Sequence, residues 1–387
     1  MKAVVLNAEW APRPGVKIDP EHEKRKWAVN ANLVYRNPKA SVETRDDPSE
    51  PGPRELILKV GACGICGSDV HMFETDDEGY MFLPYHLATP VVTGHEFSGE
   101  VVAIGSDVKE FDVGDLVSSE EIQWCGECDA CRGGYWNQCQ YIEDLGFTID
   151  GGFAEYVRVN VKYCWSLNDV LERYGDKTTA LEVGSMTEPV SVAYEGMFTR
   201  AGGFLPGRAV AVFGGGPIGL AAVALAKAAG ASKIFAFEPL DERRGLAEKL
   251  GATHGVDPTK TDVGEFVAEE TKGDGVAMAV ECTGNFPAVM ESIESSLGLG
   301  GKVSVIGMDG RPAELNFIDH QLKAASIYGT VGHSGSWDFP NVIKLMASGQ
   351  IDMHHAITRR FPLEELVSAI DETKTRVDGK ILVKSEP

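Results

Sequence analysis

Long apolar runs are missing from this chain. No stretch approaches the ~20 residues that cross a membrane. The opening MKAVVLNAEW has only Ala3 to Leu6 as an apolar stretch, short of the about 7–15 residues of a secretory signal. A cytoplasmic protein with no membrane partner is expected, in a reducing compartment where structural disulfides are rare. Positive charge is also scarce. Lys and Arg number 36 against 58 Asp and Glu, a formal net charge of −22. A nucleic-acid binder carries a basic stripe, and none is found. The densest basic cluster, HEKRKW (His22 to Trp27), reads as a solvated surface segment. The acidity argues for solubility and against anionic membranes, and a salt-adapted host could also produce it. No repeat of fixed period is present although the chain holds 44 glycines, which excludes collagen-like and solenoid architectures. What is present is 387 residues of ordinary globular composition, enough for two domains.

Half of the eight cysteines fall in CGECDACRGGYWNQC, as Cys125, Cys128, Cys131 and Cys139. Two residues between cysteines let one tight turn aim both sulfurs at a single centre, and four thiolates make a closed tetrahedral zinc site. Ferredoxin-type iron–sulfur runs close with a three-residue gap and a proline. Here the gap is seven and Gln140 follows, so zinc is favoured over a cluster or disulfides. A closed four-sulfur site leaves no position for substrate. It would hold a loop in shape, and any catalytic metal must lie elsewhere.

Short β-like runs such as KAVVL, ELILKV and FSGEVVAIG, with a polar insertion from about residue 11 to 53, predict a β-rich first domain carrying the cysteine lobe. From about residue 205, strands such as AVAVF, KIFAF, GVAMAVE and KVSVIG alternate with helical stretches such as DERRGLAEKLGA. That alternation predicts an α/β domain with a doubly wound parallel sheet. The expected division is 1–194 for the first domain, 195–335 for the second, and 336–387 returning to the first.

The run VAVFGGGPIG places Gly214, Gly216 and Gly219 as G-x-G-x-x-G after a predicted strand, with Pro217 and Ile218 opening a helix. The first glycine turns the chain, the second admits a pyrophosphate, and the third packs helix on strand. Free N–H groups at the helix start suit phosphate. Glu238, 19 residues after Gly219, can accept hydrogen bonds from a ribose 2′-OH and would repel a 2′-phosphate, which favours NAD over NADP. Arg243 and Arg244 follow closely and could meet such a phosphate.

Candidate ligands for a second, open zinc are Cys66 in GACGICGSDVHMF, His95 with Glu96 in VVTGHEFSG, and Glu188 in SMTEPVSVAY. A catalytic zinc takes three protein ligands and keeps one open position. These motifs together with GGFAEY, FGGGPIGL and the four-cysteine lobe resemble the zinc-dependent medium-chain dehydrogenases over nearly the whole chain. The resemblance implies a Rossmann domain beside a GroES-like catalytic domain, and two zinc ions per chain. Cys66 and His95 would be catalytic ligands, with Glu96 beside them or alternating as one, and Asp69 would orient His95. Glu188 in place of cysteine resembles the polyol branch: sorbitol, butanediol and threonine dehydrogenases. The length, the insertion before residue 55 and GTVGHSG (Gly329 to Gly335) resemble the scyllo-inosose, or cyclitol, dehydrogenases within it.

The implied reaction moves a hydride between NAD and a secondary alcohol of a small-molecule polyol or cyclitol. Zinc lowers the pKa of bound water from about 15.7 to about 7, and an alcohol there gains similarly. By motif position Ser68 would accept a hydrogen bond from the substrate oxygen, and His71 would pass the proton to solvent through the cofactor ribose. Thr283 and Gly284 in ECTG would touch the cofactor. His333 is a candidate pocket residue. His354 and His355 read as surface residues, and Cys63, Cys164 and Cys282 as buried small ones. A homodimer or homotetramer is implied. Other readings are a reductase of a sugar-derived ketone or aldehyde, a nucleotide-binding protein keeping only the lobe zinc, and a zinc-free quinone reductase.

Overall fold

The computed structural model describes residues 1–385 apart from Asp309, Ser334 and Ser336. Ser334 of the 329–335 stretch therefore lies outside the described residues. The chain folds as two compact units: residues 1–188, 359–375 and 381–387, and residues 189–358 and 376–380. Among the described residues no helix is long and apolar enough to cross a membrane.

The first unit is built on a seven-stranded sheet. Its order runs Cys164–Ser166, Leu116–Ser119, Glu96–Ile104, Glu55–Gly64, Lys380–Lys384, Ile357–Pro362, with Tyr156–Asn160 also pairing Glu55–Gly64. Leu56, Leu58 and Val60 alternate into a core with Phe97, Val101, Val117 and Phe153. A second sheet pairs Lys2–Trp10 with Tyr35–Thr44 and Val91–Val92, so the insertion after residue 10 supplies a full strand. The end of the chain returns here, with Leu382 opposite Gly64 and Val383 opposite Cys63.

The second unit holds six parallel strands in the order His254–Val256, Lys233–Phe237, Ala209–Phe213, Val276–Glu281, Leu297–Val305, Ser326–Gly329. Numbered along the chain this is 3-2-1-4-5-6, the Rossmann order, with its switch point between the first and fourth strands. All of Ala209–Phe213 is buried, as expected of a strand covered on both faces. Phe213 and Phe237 stack at 4.9 Å inside the sheet's core. The α/β fold class read from the sequence is what the structure has.

One ion pair ties the returning segment to the first unit. Arg360 Nε and Nη2 donate to Glu182 at 2.9 and 2.6 Å, and Lys384 lies 3.4 Å from the same carboxylate. Burial pushes the Glu182 carboxyl up, but Arg360 and Lys384 outweigh it and hold it below its ordinary value of 4.5. With a depressed folded-state pKa, the pair's stabilisation is present above the ordinary value and is lost as pH falls through the lowered one. Arg360→Ala is expected to cost about 2 kcal/mol at pH 7, because it strips a buried carboxylate of its bidentate partner. The gap to wild type should close in urea titrations as the pH falls from that ordinary value through the lowered one. A pH-independent gap would contradict this assignment.

Candidate active site and nucleotide turn

Four sulfurs converge in the lobe at 125–139. The Sγ atoms of Cys125, Cys128, Cys131 and Cys139 lie within 4.8 Å of one another, with Cys125–Cys131 and Cys128–Cys139 both at 3.9 Å. Sulfurs 2.3 Å from a tetrahedral centre would stand about 3.8 Å apart, whereas a disulfide needs ~2.05 Å. The backbone N–H groups of Glu127 and Cys128 donate to Cys125 Sγ, and that of Tyr141 to Cys139 Sγ, each at 3.3 Å. Backbone donors pull the Cys128 thiol down to about 6, while burial pushes Cys131 up to about 12. Four thiolates this close need a cation among them, and the donor set suits zinc. Lys162 Nζ, donating to Trp124 O at 2.8 Å, sets a positive charge beside the lobe.

A different donor set forms at residues 66–96. Cys66 caps the helix Gly67–Phe73, where Asp69 carboxylate accepts from Cys66 N at 2.9 Å. His95 follows Gly94, whose φ of +91° only glycine adopts freely. A Cβ at Gly94 would stand 2.7 Å from the Phe153 ring. That turn delivers His95 and Glu96, both buried, to Cys66. A Cys66 sulfur, a His95 ring nitrogen and a Glu96 oxygen lie within 4.8 Å of one another. His95 Nδ1 lies 3.8 Å from Asp69 and its Nε2 3.4 Å from Ser68 Oγ. Burial disfavours the charged imidazole, but Asp69, Glu188, Glu96 and Glu121 outweigh it and raise the His95 pKa. Sulfur, imidazole and carboxylate are a donor set for a three-ligand zinc with a position to spare.

Glu188 is buried at the start of the helix Thr187–Tyr194. Its carboxylate groups with that of Glu121, within 4.8 Å, rather than with Cys66, His95 and Glu96. Glu121 is one residue the sequence reading passed over. Burial pushes its carboxyl up to about 8, partly opposed by His95. His71 sits on the exposed face of its helix, 3.5 Å from Glu74. His333 is buried, its ring 4.5 Å from Phe339. His355 is exposed and His354 half-buried. None of the eight cysteines is in a disulfide.

In the second unit the glycine turn lies at the end of Ala209–Phe213. Gly214 has φ +99°. A Cβ on Gly219 would stand 1.8 Å from Gly214 O, whereas one on Gly216 meets nothing nearer than Arg243 Nη1 at 3.7 Å. The third glycine is therefore a packing requirement, and the second faces open space where a ligand can approach. Pro217 and Ile218 begin the helix Pro217–Ala228, with Gly216 as its cap. Glu238 lies one residue beyond its strand. Its two oxygens accept from Gly215 N at 2.7 Å and Leu240 N at 3.0 Å, bracing the turn. Arg243 Nε donates to Asp378 O at 3.0 Å. Thr283 N and Gly284 N donate to Glu281 Oε1 at 2.7 and 3.0 Å, and Gly307 N to Oε2 at 3.1 Å. Glu281, fully buried, organises that loop. A lone carboxylate ending an apolar strand was the available signal for it.

Comparison with known proteins agrees with this geometry. Residues 52–169 match the Alcohol dehydrogenase GroES-like domain family and 217–348 the Zinc-binding dehydrogenase family. A scyllo-inosose 3-dehydrogenase of Thermotoga maritima is 43% identical over 395 residues, covering 99% of this chain and 98% of that protein. An L-threonine 3-dehydrogenase of Caldanaerobacter subterraneus subsp. tengcongensis is 35% identical, covering 90% and 96%. A solved structure from Thermotoga maritima superposes with a TM-score of 0.95 at 42% identity, covering 99% and 100%.

The two glycines separate packing from ligand access. Gly219→Ala is expected to cost about 1–3 kcal/mol through overpacking, seen as a lower melting temperature. Gly216→Ala should stay within about 0.5 kcal/mol of wild type, yet weaken binding of a dinucleotide measured by fluorescence titration. Equal melting temperatures for both variants would contradict this division.

Proposed function

With the chain belonging to the zinc-binding medium-chain dehydrogenases, we propose that it transfers a hydride between NAD and a secondary alcohol carbon of a polyol or cyclitol, of the inositol–inosose kind. The observation that carries this is the grouping of Cys66, His95 and Glu96 in a protein with a Rossmann glycine turn. The substrate class is supported by the 43% identity, over almost the full length of both chains, to the scyllo-inosose 3-dehydrogenase. The threonine dehydrogenase likeness is lower and covers less of this chain.

Two zinc ions per chain fit the donor sets, one in the four-cysteine lobe and one at Cys66, His95 and Glu96, with Glu188 close by. Zinc at the second set would supply a Lewis acid that lets the substrate hydroxyl lose its proton near neutral pH. The remaining work falls to the chain. Asp69 fixes the start of the Gly67–Phe73 helix and faces Nδ1 of His95, so the other ring nitrogen is left for a ligand. Ser68 Oγ, beside that nitrogen, would accept a hydrogen bond from the substrate hydroxyl and take its proton as it passes on its own, and exposed His71 would release a proton to water. The Gly214–Gly219 turn would bind the pyrophosphate through helix N–H groups, next to Thr283 and Gly284. Glu238 would oppose a 2′-phosphate by like charge, which favours NAD. The edge strand Ser326–Gly329 exposes Ile327, and the neighbouring helix exposes Phe317, Ile318 and Leu322. This apolar edge suits pairing with a second copy, as homodimer or homotetramer, which light scattering tests.

The direct experiment follows NADH formation at 340 nm over inositols, linear polyols, L-threonine and 2,3-butanediol, with NAD or NADP. Turnover of a cyclic polyol is expected, with kcat/KM at least about tenfold higher for NAD, the effect of one uncompensated like-charge contact. Ser68→Ala should lower kcat by about a hundredfold or more. Turnover of L-threonine alone would replace the polyol reading, and an unaffected Ser68→Ala would remove serine from the proton path.

A further inference from the structure

Between the insertion and His95 runs a line of aromatic contacts that the reaction outlined above does not use. The insertion grips residues 83–89 from one side. Trp27–Ala28 pairs antiparallel with Leu87–Ala88. Ala31 N donates to Tyr85 O at 2.9 Å, Asn32 N to Leu83 O at 2.9 Å, and Thr89 N to Tyr35 Oη at 3.1 Å. Trp27 stacks on His86 at 5.5 Å and 17°. The far edge of His86 is hydrogen-bonded through Nε2 to Asp144. Asp144 is itself fixed, fully buried and in register with Ile122. Held between a tryptophan face and a buried carboxylate, His86 has little freedom to turn.

Tyr85 takes its position from this arrangement. Its ring lies 3.7 Å from that of His86 and edge-on to Phe147 at 5.4 Å. Phe147 in turn packs against His95 at 4.7 Å. Tyr85 therefore stands one ring away from a candidate metal ligand. The residue as a whole is half-buried. Glu121 belongs to the same wall: Leu145 N, next to Asp144, donates to Glu121 O at 3.0 Å, and the Glu121 carboxylate neighbours that of Glu188. Burial, with Asp144, Glu121 and Glu188 nearby, holds the Tyr85 phenol well above its ordinary pKa. It is a neutral donor throughout the physiological range.

A phenol O–H matches the acceptor side of a hydroxyl. An amino-acid substrate would bring its own carboxylate towards Asp144 and Glu188, whereas a neutral polyol meets no such repulsion. Resting on the polyol reading, we propose that Tyr85 is a specificity residue that binds a hydroxyl of the substrate other than the one oxidised. Trp27 of the insertion is the positioning residue that sets Tyr85 through His86. The insertion thereby makes part of the substrate site, and the substrate class it selects is a neutral ring carrying neighbouring hydroxyls.

The test compares myo-inositol, or whichever inositol the wild type oxidises fastest, with cyclohexanol, which has the ring and a single hydroxyl. Tyr85→Phe removes only the phenol oxygen. It is expected to raise KM for the inositol about tenfold, the scale of one lost hydrogen bond, with a smaller change in kcat. The ratio of kcat/KM for inositol to that for cyclohexanol should fall by a similar factor. Trp27→Ala should move the same ratio in the same direction, and Trp27→Phe, which keeps an aromatic face on His86, should restore most of it. A merely structural role for Trp27 would lower both activities together. Equal losses on the two alcohols, or no change in KM for the inositol, would overturn the proposal while leaving the polyol function intact. A wild type that oxidises cyclohexanol or L-threonine but no inositol would overturn the functional reading, and this inference with it.

Discussion

Buried negative charge is the constraint on which the first unit depends. Asp69, Glu96, Glu121 and Glu188 are all buried, and each of them acts on His95. The Cys66 sulfur stands in the same group as His95 and Glu96. Burying carboxylates is costly unless they are paired or protonated. A divalent cation among Cys66, His95 and Glu96 would balance much of that charge at once. The capping box at Cys66, the glycine turn at Gly94 and the ring of Phe147 hold donors together that would otherwise repel one another.

The two donor sets differ in what they leave open. Four sulfurs at tetrahedral spacing in the 125–139 lobe use every position of a zinc ion, so that site would shape a loop and exclude substrate. The set at 66–96 mixes sulfur, imidazole and carboxylate and leaves a position free. On the proposed reading the chemistry belongs to the second set, with the lobe as its structural counterpart. The second unit carries its glycine turn at the switch point of a 3-2-1-4-5-6 sheet, where such folds take their dinucleotide.

Much of this was legible in the sequence because it is encoded by local spacing. C-x2-C turns, a G-x-G-x-x-G run after an apolar strand, and β-α alternation all depend on near neighbours, and the α/β class with a β-rich partner domain followed from them. Cys66 and His95, 29 residues apart, are nominated by residue type and by the family resemblance rather than by spacing. Spacing could not tell how carboxylates distribute, because side-chain grouping depends on which strands and loops meet. Glu188 lies with Glu121, a residue in the short break between Leu116–Ser119 and Ile122–Gln123 where no periodicity marks it. Glu238 was read as a ribose partner, and its carboxylate also braces Gly215. Tyr85, His86 and Asp144 come together only through the pairing of Trp27–Ala28 with Leu87–Ala88 and of Glu143–Asp144 with Ile122–Gln123, and two-residue strands leave no pattern to read.

The central claim is that one chain holds two zinc ions in sites of unlike chemistry. Zinc per chain, measured by mass spectrometry on the wild type and on His95→Ala and Cys131→Ser, tests it most directly. The account predicts about two zinc ions in the wild type. His95→Ala should keep about one with the fold intact by circular dichroism and no dehydrogenase activity, and Cys131→Ser should lose the lobe ion. A wild type that holds a single zinc, retained in His95→Ala and lost in Cys131→Ser, would contradict it.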